Sequence, residues 1–300
     1  MLGAYHVYRA GAAVARRLPE SLVDAGTAAL ASLAAQFPTE RRMLVERNLR
    51  RTIGPELTRS RLRRSVRRTY RAYARYYVES ARLPGFDARR VADGFTAEGF
   101  GHIEDGVASG TGPILVLPHL GGWEWAGYWL TVVPGYRVTA VMEPLEPPEL
   151  HEWFVSYRER LGMDIVTLGS GSAGAVVGAI RADHVVCLLS DRDVGGGGVE
   201  VDFFGEGTKL PAGPATLALR TGAALLPTAV YYEGRGRNHA VIRPPVSAVR
   251  SEGRLRDDVR DVTQRLAHEL EILIRAAPEQ WHLMQPNWPS DHAALAARRG

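Results

Sequence analysis

The 300-residue chain has one cysteine, Cys187, and one lysine, Lys209. A lone cysteine excludes an intramolecular disulfide and any cysteine-rich zinc cluster. Paired metal-ligand spacing is missing as well. His102, His119, His151 and His184 show no His-Glu-x-x-His pattern, which argues against a metal hydrolase and predicts no bound metal. Long hydrophobic runs are absent too. The longest window without Asp, Glu, Lys or Arg, Gly106 to Trp123, is broken by five glycines and two prolines and reads as a loop and a strand, not a span. The apolar start from Leu2 is interrupted by Arg9 and ended by Arg16 and Arg17, with no small-residue cleavage site behind it, so the segment is expected to be retained.

What remains is globular: 45% apolar and 23% charged residues, enough for one large domain or two small ones. The net charge of +4 conceals a local excess, because sixteen arginines face only Glu46, Glu56, Glu79 and Asp87 between Arg41 and Arg90. From Thr58 to Ala81 the apolar positions Leu62, Val66, Tyr70, Tyr73, Tyr77 and Ala81 recur at three- and four-residue steps. Arg63, Arg64, Arg67, Arg68, Arg71 and Arg75 lie between them, predicting a basic amphipathic helix. Such a helix suits an anionic membrane surface, nucleic acid, or simple solubility with its tyrosines in the core. With no zinc signature, aromatic platform or recognition helix, nucleic acid is not expected as a partner. Leu2 to Ala15 and Ser21 to Phe37 read as two further apolar-faced helices, which pack on the body or lie in a lipid interface.

Beyond about residue 95 the pattern changes. Strand-like runs at 114–117, 137–142, 164–168, 185–189, 200–204, 225–232 and 240–243 alternate with helical ones, the last spanning Leu255 to Ala276. This predicts an α/β fold with a mostly parallel central sheet flanked by helices. Residues 1–95 are expected to form a basic helical membrane-association region and 96–300 the α/β body. In open parallel sheets ligands bind beyond the carboxyl ends of strands, so chemistry is expected after Leu117, Leu189 and Phe204.

Directly after the first of these strands stands Pro118-His119-Leu120-Gly121-Gly122-Trp123-Glu124. A histidine at a strand end, followed by two glycines and a helix start, presents its imidazole to a cleft. Glu124, about one turn into that helix, could orient the ring, making His119 a general base for a hydroxyl. A structural histidine at a helix start fits the same letters. Glu200, after the run Gly195 to Gly198, competes with Glu124 for the ring, and the residues do not decide between them. Gly121, Gly122 and the four-glycine loop supply candidate oxyanion amides. Arg158, Arg160, Arg192 and Lys209 are candidates for phosphate, the arginine fork matching its oxygens bidentately. Trp123, with Trp125, Trp129 and Trp153, could stack on a sugar, line an acyl tunnel, or fill the core. Cys187, inside an apolar strand, reads as core and not as a nucleophile.

His119-x4-Glu124 with its glycine pair resembles the first block of the bacterial lysophospholipid acyltransferase superfamily, and its glutamate resembles the lipid A late acyltransferase branch. Further blocks follow in order: Ser190-Asp191-Arg192-Asp193, Gly198 to Gly205, Leu210 to Ala215, and Pro278-Glu279-Gln280-Trp281-His282. Within the branch the chain looks most like the actinobacterial phosphatidylinositol mannoside acyltransferases. The resemblance implies a glycerolipid-acyltransferase-like fold and transfer of a long acyl chain from acyl-CoA, a co-substrate with no further cofactor. The implied acceptor is a mannose hydroxyl of an anionic phosphoinositide-type glycolipid at the inner leaflet of the cell membrane. It also implies catalysis by His119 with Glu124 or Glu200, and substrate contacts from Gly121, Gly122, Trp123, Arg158, Arg192 and Lys209. A different glycolipid or lysophospholipid acceptor, an acyl thioesterase, and a non-enzymatic peripheral lipid-binding protein are the competing readings.

Overall fold

A computed structural model of the chain describes residues 2–299, with the side chains of residues 2–5, 7 and 8 outside that description. Met1 and Gly300 therefore lie outside the described residues, as do the side chains at the Leu2 end of the first apolar face. Four helices come first: α1 (Leu2–Arg17), α2 (Glu20–Ala34), α3 (Glu40–Ile53) and α4 (Arg59–Arg82). Thr39 and Thr58 cap α3 and α4, their hydroxyls accepting the amides of Arg42 and Arg61, which satisfies donors a helix start leaves orphaned. The body follows as α5 (Ala88–Asp93), β1 (Phe95–Glu98), α6 (Gly101–Ala108), β2 (Ile114–Leu117), α7 (Trp123–Val132), β3 (Val138–Met142), α8 (Pro148–Glu159) and β4 (Met163–Thr167). Then come α9 (Ser172–Arg181), β5 (Val185–Leu189), β6 (Val199–Phe203), β7 (Glu206–Leu210), α10 (Gly213–Thr221), β8 (Leu225–Tyr232), β9 (Asn238–Ile242), α11 (Leu255–Ala276) and α12 (Pro289–Arg299).

Seven strands form one sheet in the order β1-β9-β8-β2-β5-β3-β4. All its pairs are parallel except β8 with β9, as the alternating pattern predicts. One strand departs from that expectation. β6 pairs antiparallel with β7 as a separate hairpin, because residues 204–205, both at positive φ, turn the chain straight back on itself.

β2 shows why both faces of the sheet must be covered. Ile114 and Val116 join a core with α9, α10 and α11, while Leu115 and Leu117 join a second core with α5, α7 and α8. Alternate residues of a strand point to opposite faces, so an unbroken Ile-Leu-Val-Leu run is buried on both. On α11 the buried Val259, Val262, Leu266, Leu270 and Leu273 recur at three- and four-residue steps and close the first face.

The position of the site follows from the crossovers. From β2 the chain crosses through α7 to β3 on one side; from β5 it crosses through the hairpin and α10 to β8 on the other. Adjacent parallel strands β2 and β5 therefore flank the switch point, where the loops diverge and leave a crevice.

Candidate active site

Parallel pairing sets Leu117 of β2 against Leu189 of β5. Two residues past each lie His119 and Asp191, which therefore meet. Asp191 Oδ1 is 2.6 Å from His119 Nδ1, and Asp191 Oδ2 accepts the His119 backbone amide at 3.1 Å and the Trp281 indole N–H at 2.7 Å. Asp191 is fully buried, and its own carbonyl accepts from the Asn287 side chain. Burial works to raise its pKa, but the attraction and hydrogen bonds of His119, with the Trp281 bond, hold it below the usual carboxylate value. An ionised carboxylate only accepts, so Nδ1 carries a proton, and the tautomer this fixes for a neutral ring has its lone pair on Nε2. The His119 side chain is 23% exposed and Nε2 makes no hydrogen bond among the described residues.

The loop holding His119 is fastened from behind by the segment after α11. His282 N donates to His119 O at 2.7 Å, Gly121 N donates to Gln280 O at 3.1 Å, and Leu120 bridges Trp281. Gly121 has φ +63, and a Cβ there would sit 1.8 Å from the Val230 carbonyl. Only glycine fits a backbone turning in that conformation against a strand. At Gly122 a Cβ would meet the Asn238 side chain at 2.2 Å. With the Gly121 amide taken, the amides of Gly122 and Trp123 at the start of α7 have no backbone acceptor among the described residues.

Glu124 does not reach the histidine. It is 3% exposed and receives Arg158 Nη2 at 2.6 Å, Arg158 Nε at 3.1 Å and the Tyr76 hydroxyl at 3.0 Å. Burial pulls the Arg158 pKa down, yet the adjacent carboxylate more than offsets it, and the guanidinium stays charged. The expectation that a glutamate orients His119 is corrected by this geometry. As the second residue of α7, Glu124 faces Arg158 of α8 and Tyr76 of α4, and the ring nitrogen goes to Asp191 instead. Glu200 is not at the ring either: it lies exposed on β6, opposite the exposed Lys209 of β7. Arg192, next to Asp191, is half-buried and paired with Glu143 just past β3, at the rim of the crevice.

Trp123 stacks on Tyr76 with ring centroids 4.2 Å apart and meets the His119 ring edge-on at 5.7 Å. The fully buried His282 ring stands 5.6 Å from Trp123 and 5.5 Å from Tyr73. Burial and the neighbouring His119 push its pKa down to about 3, so it is neutral. Below these rings an apolar pocket opens on the α7 face of the sheet. Its apolar walls include Phe95, Phe100, Ile103, Leu115, Trp129 and Leu130, with Trp123, Glu124 and Arg158 also on its lining. Cys187 lines it too, its thiol pushed up to about 12 by burial and then by Glu124, and a thiol so held is no nucleophile.

Two roles escaped the sequence. Asp191 stands in a block of small and charged residues with no period to mark it, although its place two residues past a buried strand matches that of His119. The Trp281 indole contact depends on a return of the chain from beyond α11, which no local pattern announces.

A mostly parallel open sheet, a carboxylate-held imidazole at its switch point and an apolar pocket alongside are a layout suited to an enzyme that handles acyl chains. The chain matches the family model described as bacterial lipid A biosynthesis acyltransferase over residues 2–290 and belongs to that family. It is similar to a protein named phosphatidylinositol mannoside acyltransferase in Mycobacterium tuberculosis, at 40% identity over 225 residues, covering 73% of this chain and 69% of that one. A protein of the same name in Mycolicibacterium smegmatis is 36% identical over 289 residues, covering 95% of this chain and 91% of the relative.

Proposed function

We propose that this acyltransferase moves a long fatty acyl chain from acyl-CoA to a mannose hydroxyl of a phosphatidylinositol mannoside. The observation that carries the reading is the His119–Asp191 pair beside the apolar pocket; the relatives' names supply the acceptor. His119 Nε2 takes the proton of the acceptor hydroxyl as its oxygen attacks the thioester carbon. The tetrahedral intermediate collapses with cleavage of the C–S bond, and the imidazolium returns the proton to the departing thiolate. Asp191 holds the ring and stabilises the imidazolium. The unpaired Gly122 and Trp123 amides are suited to the oxyanion. The acyl chain lies in the pocket, each buried methylene contributing about 0.8 kcal/mol. Arg192 is the phosphate-binding candidate nearest the pair. Incubating the protein with one labelled acyl-CoA and a panel of phosphatidylinositol mannosides, lysophospholipids and lipid A precursors, then reading product masses, tests the assignment. Acylated mannoside is expected; free fatty acid irrespective of acceptor would make the protein a thioesterase.

The site is proposed to work at a membrane surface. Among the described residues no helix is long and apolar enough to cross a membrane. Leu22, Leu30 and Leu33 of α2, with Leu18 before it and Phe37 after it, are nonetheless exposed, an apolar stripe of the kind that enters a lipid interface. The basic face of α4 divides in two. Arg68 pairs with Glu279, Arg71 reaches Ser32 of α2, and Arg75 binds Glu79 and stacks on Tyr232, so these three do internal work. Among the described residues Arg63, Arg64 and Arg67, like Arg59 and Arg61 nearer the start of α4, are exposed and unpaired, and they are cations available to anionic headgroups at about 1 kcal/mol each. Cosedimentation with anionic vesicles is therefore expected to weaken on raising salt and in the triple Arg63→Gln, Arg64→Gln, Arg67→Gln variant. Leu30→Ser with Leu33→Ser should weaken binding to neutral vesicles as well. Binding indifferent to all of these changes would remove the surface-binding reading.

A further inference from the structure

We infer that Trp281 is a positioning residue for the transfer, its indole N–H fixing the Asp191 carboxylate so that the other oxygen is aimed at His119. The inference rests on His119 acting as the base and goes beyond it by assigning a role to a residue that does not touch substrate.

The geometry is specific. Asp191 Oδ1 serves the imidazole alone, while Oδ2 is held by the indole at 2.7 Å and by the His119 amide at 3.1 Å. A carboxylate anchored at one oxygen by two donors cannot rotate its free oxygen away from the ring. The indole itself has one orientation. Its backbone bridges Leu120, and its ring packs against Phe203, Phe204 and Trp288 at 5.7–6.3 Å between centroids. One short segment thus clamps both members of the pair, the loop through backbone bonds and the carboxylate through a side chain.

The indole also bears on the charge of the pair. A donor aimed at the carboxylate favours the deprotonated pair; without it a proton is taken up more readily, whichever of the two groups holds it. Other charged and titratable groups surround the pair. Tyr73 and Tyr76 come from α4, with their pKa values raised by burial, and neutral His282 comes from the clamp itself. Glu124 of α7 is paired with Arg158 of α8, Arg192 with Glu143, and Asp193 accepts the Gly198 amide. None of them bonds to the Trp281 indole.

The test compares Trp281→Phe with Trp288→Phe. Trp288 belongs to the same aromatic cluster and is as buried, but its indole donates to the Phe203 carbonyl, so its loss reports packing without touching the pair. With Trp281→Phe, kcat is expected to fall about tenfold with KM nearly unchanged, and the acid limb of the kcat/KM profile to move up by about one pH unit, the size of one hydrogen bond to a charged group. Trp288→Phe should lower thermal stability and leave the limb in place. In the unaltered protein the Trp281 indole ¹H–¹⁵N resonance should shift with pH at the midpoint of that limb, a measurement that stands even where the variants fold poorly. An unmoved limb in Trp281→Phe, an equal move in Trp288→Phe, or an indole resonance indifferent to pH would each overturn the positioning role while leaving His119 as the base. Wild-type turnover in His119→Ala would overturn both.

Discussion

His119→Ala is expected to lower kcat/KM by about 10²- to 10⁴-fold, the usual contribution of a positioned base to proton transfer, while the protein still folds. The side chain is partly exposed, with one hydrogen bond to Asp191 and an edge-on contact with Trp123. The loop is held independently of the imidazole, by the backbone bonds of His119 and Gly121 to the clamp. Loss of chemistry should therefore separate cleanly from loss of fold. Steady-state kinetics beside a thermal melt checks this, and turnover within a few-fold of wild type would refute the base.

Exchanging the carboxylates should give three different results. Asp191→Asn keeps the shape but can present an N–H to Nδ1, placing the proton on Nε2, where no base remains. A loss on the order of 10³-fold or more is expected. Glu124→Gln removes the partner of a charged, buried guanidinium. Leaving Arg158 uncompensated costs about 3–5 kcal/mol, so the effect should appear first as a melt lowered by several degrees. Arg158→Met in the same protein should recover part of that loss, since an uncharged pair of similar size does not strand a charge. Glu200→Gln, on the solvent side of a hairpin, should change neither property measurably. If Glu200→Gln were the inactive variant and Asp191→Asn the active one, the carboxylate assignment would be reversed.

These outcomes follow three-dimensional neighbours more than neighbours in the chain, which explains what the sequence could reveal. Ile114–Leu117 and Val185–Leu189 announce themselves as unbroken apolar runs, and a histidine at the end of the first is visible at once. That these two strands lie side by side is set by crossovers through seventy residues, and nothing local records it. Glu124, close in sequence, therefore looks like the partner of His119, whereas Asp191 is the partner in space. The short edge strand β1 was hidden because Phe-Thr-Ala-Glu offers only four residues and one large apolar side chain. The second arm of the hairpin, Glu-Gly-Thr-Lys-Leu, has a glycine and two charges where a strand signal is sought. In α3 the buried Leu44, Val45, Asn48, Leu49 and Thr52 include two polar residues, so the apolar stripe is diluted below recognition and the arginines dominate.

The register Leu117 to Leu189 has one more consequence, for the lengths of the loops. His119 and Asp191 each stand two residues beyond a paired strand end, with Pro118 and Ser190 as the sole spacers. Ser190 N is itself bonded to Leu117 O. Adding or deleting one residue at either spacer would carry its functional side chain past its partner and toward the opposite face. The run Gly195 to Gly197, where an added Cβ meets nothing, has no such constraint. Length variation in this chain is thus forbidden where the spacers are shortest and free a few residues downstream, so the separation of the reactive pair is metered by the sheet while the rim of the crevice can be lengthened.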